Sequence, residues 1–311
     1  MTKGGQIEES ELELKFIHSL RKYVDKQDDE RWSFSESKEN GIIIYHLSIP
    51  TLDGSVAYLI RPQVSLGETH GVKESTRTDF YFTCVKVVKG DIIIDEGYEL
   101  EAYKDLAIYM DGYTFHASKQ HMRFYQDLKI RDAIAETTNI GSWTLSWNDL
   151  VKFDEEEKDE LFLDERKYRE TINKLSRTPL WKRTKQDLLK KINSMDRMLW
   201  YLSNSNEDNI NTEIGLFAAC FQGQFANPSF SEEQAVALLD PKEIVDLSSK
   251  ELSPDGNFYM LSELTRANEL FKSRLFVRLK DFSLLSSINV TDLESIDKDV
   301  WEEFWRVYSV L

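Results

Sequence analysis

Two short stretches of this chain decide its predicted fold: Thr78–Phe82, which reads TDFYF, and Leu106–His116, which reads LAIYMDGYTFH. Each combines a run of apolar and aromatic residues, typical of a buried strand, with an acidic residue at one end. Asp79 opens the first strand, and Asp111 closes the second, with His116 five residues beyond it. If the two strands are neighbours that pair in parallel or nearly so, these side chains gather at one end of a sheet. Carboxylates and a histidine gathered there form a candidate site for a divalent cation.

Outward from these stretches, the sequence pattern predicts further strands with helices around them. A helix is expected over Glu9–Tyr23, with Ser10 as its cap, because apolar residues recur at spacings of three and four. Apolar runs at 41–47 and 55–60, separated by a Pro-Thr-Leu-Asp-Gly turn, indicate a β-hairpin. The other predicted elements are strands over 80–88, 91–94 and 142–147 and a helix over 122–138. We therefore predict an α/β fold with a mixed sheet flanked by helices.

A change of pattern after the acidic run Asp154–Asp159 predicts a domain boundary. From residue 161 to 202 the pattern is helical, with few strand signals. We predict a first domain over residues 1–155 and a mainly helical second domain over 156–311, used for DNA or partner contact. The chain stops within an amphipathic pattern at Val300–Tyr308, which predicts either a piece of a longer protein or a subunit interface.

Composition limits the class of protein. Of 311 residues, 41% are hydrophobic and 12% aromatic, which is ample for a packed core. Cys84 and Cys220 are too few for a disulfide scaffold and too far apart for a zinc knuckle, so we expect a reducing, cytoplasmic location. The first residues lack the apolar core of a signal peptide, and no apolar run is long enough to span a membrane.

The charge distribution leaves two interpretations open. A net charge of −16 argues against strong intrinsic affinity for a polyanion, because phosphate binding depends on Lys and Arg. One island, at 166–191, is nevertheless rich in basic residues, with Trp181 in its middle and Lys182, Arg183 and Lys185 beside it. This island is either a nucleic-acid contact surface or a solvated helix face.

Several motifs occur in a fixed order along residues 9–152. They are Glu13 in the predicted first helix, T-R-T-D-F at 76–80, M-D-G-Y-T-F-H at 110–116, Asp127, Arg131 and Asp132 in the predicted later helix, and W-T-L-S-W at 143–147. This set resembles the PD-(D/E)XK nuclease superfamily, specifically its very-short-patch-repair (Vsr-like) branch. It covers about half of the chain, and its order is more specific than any single motif.

The resemblance implies a PD-(D/E)XK-type core and a metal-dependent endonuclease that hydrolyses phosphodiester bonds of DNA with Mg²⁺ or Mn²⁺. It makes Asp79 the principal metal ligand and Asp111 a second ligand or a group that positions water. It makes His116 the general base.

The same resemblance assigns supporting roles to other residues. Glu13 would be an outer carboxylate of the site, and either Asp127 or Asp132 would orient the histidine. Arg77 and Arg131 would contact DNA.

Two further segments, I-R-P-Q-V at 60–64 and W-T-L-S-W-N-D-L at 143–150, are similar to the nuclease-like tail of DEAD/DEAH-type helicases in bacterial antiphage defence systems. The resemblance implies a helicase/ATPase motor domain or subunit and other defence-complex proteins as partners. The chain has no G-x-x-x-x-G-K-[ST] motif, so the motor must lie elsewhere. We expect the motor to deliver DNA to this chain.

One departure from the superfamily pattern supports a second hypothesis. Tyr109 occupies the position where many members carry a carboxylate, and no lysine follows, so the usual E-x-K pair is missing. The alternative is a catalytically degenerate nuclease fold that acts as a DNA-binding or scaffolding module. A third hypothesis is that the second half is chiefly a protein-interaction surface around Trp301, Phe304 and Trp305.

Overall fold

A computed structural model describes residues 11–72, 75–112, 116, 123, 126–127, 130–131, 133–134, 140–155 and 193–206, and the backbone of three strands between residues 258 and 290. Within these ranges the chain has a mixed α/β architecture whose main sheet is mostly antiparallel.

The first helix, α1, spans Glu11–Asp25 and was predicted to within two residues at each end. Its buried face carries Phe16, Ile17, Leu20 and Val24, at the spacings that place side chains on one side of a helix. Ser10, the predicted cap, lies outside the described residues.

The main sheet has seven strands. They are β1 (Ser33–Glu39), β2 (Ile42–Pro50), β3 (Gly54–Pro62), β6 (Phe80–Lys89), β7 (Ile92–Ile94), β8 (Asp105–Met110) and β9 (Ile140–Leu145). The order across the sheet is β1-β2-β3-β6-β8-β9, with β7 also paired to β6. A separate two-stranded ribbon joins β4 (Ser65–Leu66) to β5 (Thr76–Arg77), and a short helix, α2 (Tyr98–Glu101), precedes β8. The predicted hairpin is confirmed as β2 and β3, which pair antiparallel.

The pairing of β6 with β8 corrects the expected strand direction. The two strands are antiparallel, with Phe80 opposite Ile108 and Phe82 opposite Leu106. In an antiparallel pair the start of one strand lies beside the end of the other, whereas a parallel pair would set start beside start. The parallel pairing that was set as the condition for gathering these side chains does not occur, and the antiparallel direction is what brings Asp79 next to the end of β8.

The strand predicted over residues 142–147 ends earlier, because a helix begins there. Trp147 opens α3 (Trp147–Glu155). Ser146 and Asp149 exchange hydrogen bonds: the Ser146 backbone N–H and hydroxyl both donate to Asp149 Oδ2 at 2.9 Å, and Asp149 N donates to Ser146 Oγ at 3.3 Å. This reciprocal capping starts the helix. Trp143 is therefore wholly buried in β9, whereas Trp147 is 38% exposed and does not share its strand face.

The main core lies between the sheet and three helices. The fourth helix, α4 (Ser194–Asn204), buries Met198 and Leu202 in the same cluster as Phe16 of α1. Two buried hydrogen bonds join α4 to the sheet, from Trp143 Nε1 to Ser194 Oγ at 3.0 Å and from Tyr58 OH to Leu202 O at 2.7 Å. Residues 194–204, which the sequence assigned to a second domain, thus pack in the core of the first.

The opposite face of the sheet carries a smaller apolar cluster. Tyr81, Ala107 and Tyr109 of β6 and β8 pack there with Leu66, Val72 and Ile134. Residues 126–127, 130–131 and 133–134 are helical, as predicted for 122–138, whereas Arg123 near the predicted start is not helical. The sheet is therefore covered on both faces near the end of β8, and β8 is buried on both sides as its apolar sequence predicts.

In the second half of the chain the structure also describes three antiparallel strands, β10 (Phe258–Arg266), β11 (Phe271–Arg278) and β12 (Leu284–Val290). The mainly helical character predicted for residues 156–311, and the boundary at residue 155, stay predictions. Among the described residues no helix combines the length and the apolar character needed to cross a membrane.

Candidate functional site

A cavity of about 400 Å³ opens where β6 begins and β8 ends. Its charged lining residues come from the ends of both strands, from β5 and from described positions between residues 116 and 131. They are Arg77, Asp79, Asp111, His116, Arg123, Asp127 and Arg131. Most of the predicted site residues described by the structure therefore face one space.

Asp79 is held by the backbone of the strands on both sides of it. Its N–H donates to Ile108 O at 3.0 Å, and its C=O accepts from Gln63 N at 2.9 Å. Its carboxylate Oδ2 accepts from Met110 N at 2.5 Å. Burial raises the pKa of Asp79 to about 7, the Met110 N–H opposes the rise, and the charges of Asp111 and Glu13 add to it. A cation bound beside Asp79 would offset this cost.

Glu13 and Gln63 support Asp79 from the side of α1. Glu13 is only 4% exposed, and Gln63 Nε2 donates to Glu13 Oε1 at 2.6 Å. The same nitrogen lies 3.5 Å from Asp79 Oδ1. The structure thus brings Glu13 to the edge of the site as predicted, with an amide between the two carboxylates.

Gln63 was not predicted as a functional residue. It has a positive φ of 54°, a left-handed conformation that is uncommon for residues with a side chain. A backbone bond to Asp79 holds it in this conformation. The signal available in sequence was its place in the I-R-P-Q-V segment before the Asp79 motif, but its contacts depend on the tertiary fold.

Asp111 continues the parallel pairing of β8 with β9, since its N–H donates to Leu145 O at 3.1 Å. Its side chain is 2% exposed. Oδ2 accepts from Arg131 Nη2 at 2.6 Å, and Oδ1 lies 3.6 Å from His116 Nε2. One carboxylate oxygen is therefore occupied by an arginine, and the other is directed towards the histidine.

His116 is oriented by Asp127. Nδ1 of the histidine forms a 2.7 Å hydrogen bond with Asp127 Oδ2, which leaves Nε2 towards Asp111. Burial lowers the pKa of His116, but the bond to Asp127 and the charge of Asp111 outweigh burial and raise it. Of the two predicted orienting residues, Asp127 makes the contact, while Asp132 lies outside the described residues.

The donor atoms fit a hard divalent cation. Asp111, His116 and Asp127 offer ligand atoms that all lie within 4.8 Å of one another. Two of these side chains already bond to each other, since His116 Nδ1 lies 2.7 Å from Asp127 Oδ2. The carboxylate oxygens of Asp79 and Asp111 are the better candidates, since Mg²⁺ and Mn²⁺ prefer oxygen ligands.

The arginines divide into two kinds. Arg131 was predicted to contact DNA, but it is 2% exposed and paired with Asp111, so it does not present its charge at the surface. Arg77 and Arg123 are exposed and line the mouth of the cavity. Arg123 was missed by the sequence analysis, because no motif contains it. Lys182, Arg183 and Lys185 lie outside the described residues, as do Trp301, Phe304 and Trp305.

Comparison with models of known protein families, with curated proteins and with solved structures finds no match in any of the three. The resemblance to Vsr-like nucleases therefore rests on the motifs and stays a prediction.

Proposed function

We propose that this chain is a metal-dependent endonuclease that hydrolyses phosphodiester bonds of DNA. The observation that carries the proposal is one cavity that combines two carboxylates from adjacent strand ends with a carboxylate-oriented histidine. Hydrolysis of a phosphodiester requires a cation bound by oxygen atoms, a proton acceptor for water and positive charge for the phosphate. The cavity contains candidates for each.

Asp79 and Asp111 are the residues that would hold the cation. A bound Mg²⁺ or Mn²⁺ would neutralise charge on the phosphate and make water a better nucleophile. Asp79 is pre-positioned for this by the Met110 N–H, and Arg131 holds Oδ2 of Asp111 while Oδ1 lies 3.6 Å from His116 Nε2.

His116 would accept the proton of the attacking water at Nε2. Asp127 fixes the ring by its bond to Nδ1 and stabilises the imidazolium that forms. The resulting hydroxide attacks phosphorus, and the bond from phosphorus to the leaving sugar oxygen breaks. The leaving oxygen takes a proton from solvent.

Arg77 and Arg123 would bind phosphates next to the scissile bond. They are exposed at the cavity mouth, where the guanidinium group matches a phosphate in geometry and charge. The positive charge of these two arginines offsets little of the net charge of −16, which repels DNA. We therefore propose that a helicase or ATPase motor, within an antiphage defence complex, delivers the DNA.

A second candidate function is a catalytically degenerate nuclease fold that binds DNA or scaffolds such a complex. Two observations favour it: Asp111 is already paired with a buried arginine, and Tyr109 occupies the place of a superfamily carboxylate. A degenerate site would neither bind Mn²⁺ nor be stabilised by it.

The test is cleavage of supercoiled plasmid and of single-stranded DNA in Mn²⁺. We expect the parent chain to cleave, and Asp79→Asn and His116→Gln to lose cleavage by about a hundredfold or more. Asp53→Asn and His46→Gln are matched controls, because both side chains are exposed and neither lines the cavity. Cleavage that is unchanged in both site variants would refute the proposal, whether or not DNA is bound.

A further inference from the structure

The centre gathers four carboxyl groups in or beside one small cavity. Glu13, Asp79, Asp111 and Asp127 lie in or beside one cavity, and Glu13 and Asp111 are 4% and 2% exposed. Like charges so placed destabilise one another in a poorly solvated space. A positive charge fixed beside these groups would offset the repulsion between them.

Arg131 lies where that charge is needed. Its side chain is 2% exposed, and Nη2 donates to Asp111 Oδ2 at 2.6 Å. Removing one partner of an ion pair buried to this degree costs more stability than at the surface, because the other charge is left buried and uncompensated. Arg131 also lines the cavity that Asp79 and His116 line.

Tyr109 explains why an arginine can occupy this position. Its ring lies under the guanidinium, with Arg131 Cζ 4.5 Å from the ring centroid, within the range of a cation–π contact. Tyr109 is the residue found where many superfamily members carry the carboxylate of E-x-K. The missing carboxylate and the missing lysine are thus replaced together, by an aromatic face and an arginine from the adjacent helical segment.

We infer that Arg131 is a positioning residue that takes the place of the missing lysine. It holds Oδ2 of Asp111, so that Oδ1 is the oxygen left for a cation. This inference rests on the proposed function. It also assigns Arg131 a role different from contact with DNA.

A purely structural role would be a brace between the helical segment and β8. The two roles differ in what happens to metal affinity. If Arg131 competes with a cation for Asp111, its removal strengthens cation binding while it weakens catalysis. If Arg131 is only a brace, its removal weakens both together with the fold.

The experiment measures Mn²⁺ affinity by calorimetry and plasmid cleavage for the parent, Arg131→Gln and Arg131→Lys. We expect Arg131→Gln to bind Mn²⁺ about tenfold more tightly, because Oδ2 of Asp111 is no longer paired with the guanidinium and becomes available to the ion. We expect its kcat to fall about a hundredfold with little change in KM, because Asp111 loses its orientation. Arg131→Lys keeps the charge, so Mn²⁺ affinity close to the parent's and partial recovery of kcat are expected.

Two results would overturn the inference. One is a folded Arg131→Gln variant with parent-like Mn²⁺ affinity and kcat. The other is weaker Mn²⁺ binding that follows a lower melting temperature, which identifies a brace.

If Arg131→Gln fails to fold, the double variant Asp111→Asn/Arg131→Gln is used in its place. Its Mn²⁺ affinity is compared with that of Asp111→Asn alone. Since Arg131 is inferred to act through Asp111, adding Arg131→Gln to Asp111→Asn should leave Mn²⁺ affinity unchanged. A change of more than about threefold would contradict this, because coupled residues lose their mutual effect once one is neutralised.

Metal affinity also separates this inference from the proposed nuclease function. A parent chain that binds Mn²⁺ without cleaving DNA, together with a tighter Arg131→Gln variant, would refute catalysis and retain the role of Arg131. Mn²⁺ binding by Arg131→Gln but not by the parent would likewise refute catalysis and retain the role of Arg131. Absence of Mn²⁺ binding in every variant would refute both.

Discussion

Replacing Asp79 by asparagine should stabilise the metal-free protein above neutral pH. The pKa of Asp79 is raised from 3.8 to about 7, chiefly by burial. A raised carboxyl pKa means that the folded state keeps its proton longer than the unfolded state does. Its contribution to the free energy of unfolding is therefore complete below pH 3.8 and is lost as the pH rises to about 7.

The magnitude follows from the size of the shift. One pKa unit corresponds to 1.36 kcal/mol, so a rise of this size costs the ionised parent ~4 kcal/mol at pH 8. Asparagine cannot ionise, and its side-chain oxygen can still accept from the Met110 N–H. Asp79→Asn should therefore match the parent near pH 4 and exceed it by up to ~4 kcal/mol at pH 8.

Urea unfolding of both proteins in EDTA, at intervals between pH 4 and pH 8, measures this difference directly. Taking the difference between the two proteins removes the contribution of the other titrating groups, and Asp53→Asn serves as the exposed control. Mn²⁺ at a hundred times its Kd should then stabilise the parent by about 2.7 kcal/mol and leave Asp79→Asn unchanged. A constant difference from pH 4 to pH 8 would refute the electrostatic argument, and equal stabilisation by Mn²⁺ would refute ligation by Asp79.

The remaining predictions concern the histidine and the fold. The cleavage rate should rise with pH through the raised pKa of His116, because only the neutral ring accepts a proton, and the rising limb should lie above the ordinary value of 6.5. Asp127→Asn should lower the maximal rate and move that limb to lower pH, because the bond that raises the histidine pKa is lost; a limb that stays in place would assign it to another group. Ser146→Ala should destabilise the protein by about 1 kcal/mol in thermal or urea unfolding, through loss of the cap of α3. Leu20→Ala should cost about 2–5 kcal/mol, whereas Leu14→Ala, at an exposed position of the same helix, should cost less than about 0.5 kcal/mol.

Much of the site was predictable because its signals are local. Asp79 and Asp111 adjoin strands that their apolar neighbours define, and the structure brings both to one cavity with His116. The strand direction was not predictable in the same way. Pairing of β6 with β8 depends on contacts far apart in sequence, which residue spacing does not encode.

The supporting residues of the site depended more on tertiary structure. Gln63 bridges Glu13 and Asp79 only because α1 packs beside the end of β3. Arg131 belonged to a predicted motif, but its burial against Asp111 and Tyr109 became evident only from the packing of its segment on the sheet. A charged residue in sequence carries no indication of whether its charge will be buried.

By itself, therefore, the sequence determined which segments form α1, the β2–β3 hairpin and β8, because helix and strand periodicities repeat over a few residues. It also determined which acids and which histidine end those elements. The tertiary structure decided that β6 and β8 run antiparallel, that α4 belongs to the main core and that Arg131 neutralises Asp111. These depend on the free energy of burying apolar surface and pairing charges between distant segments, which exists only once the chain has folded.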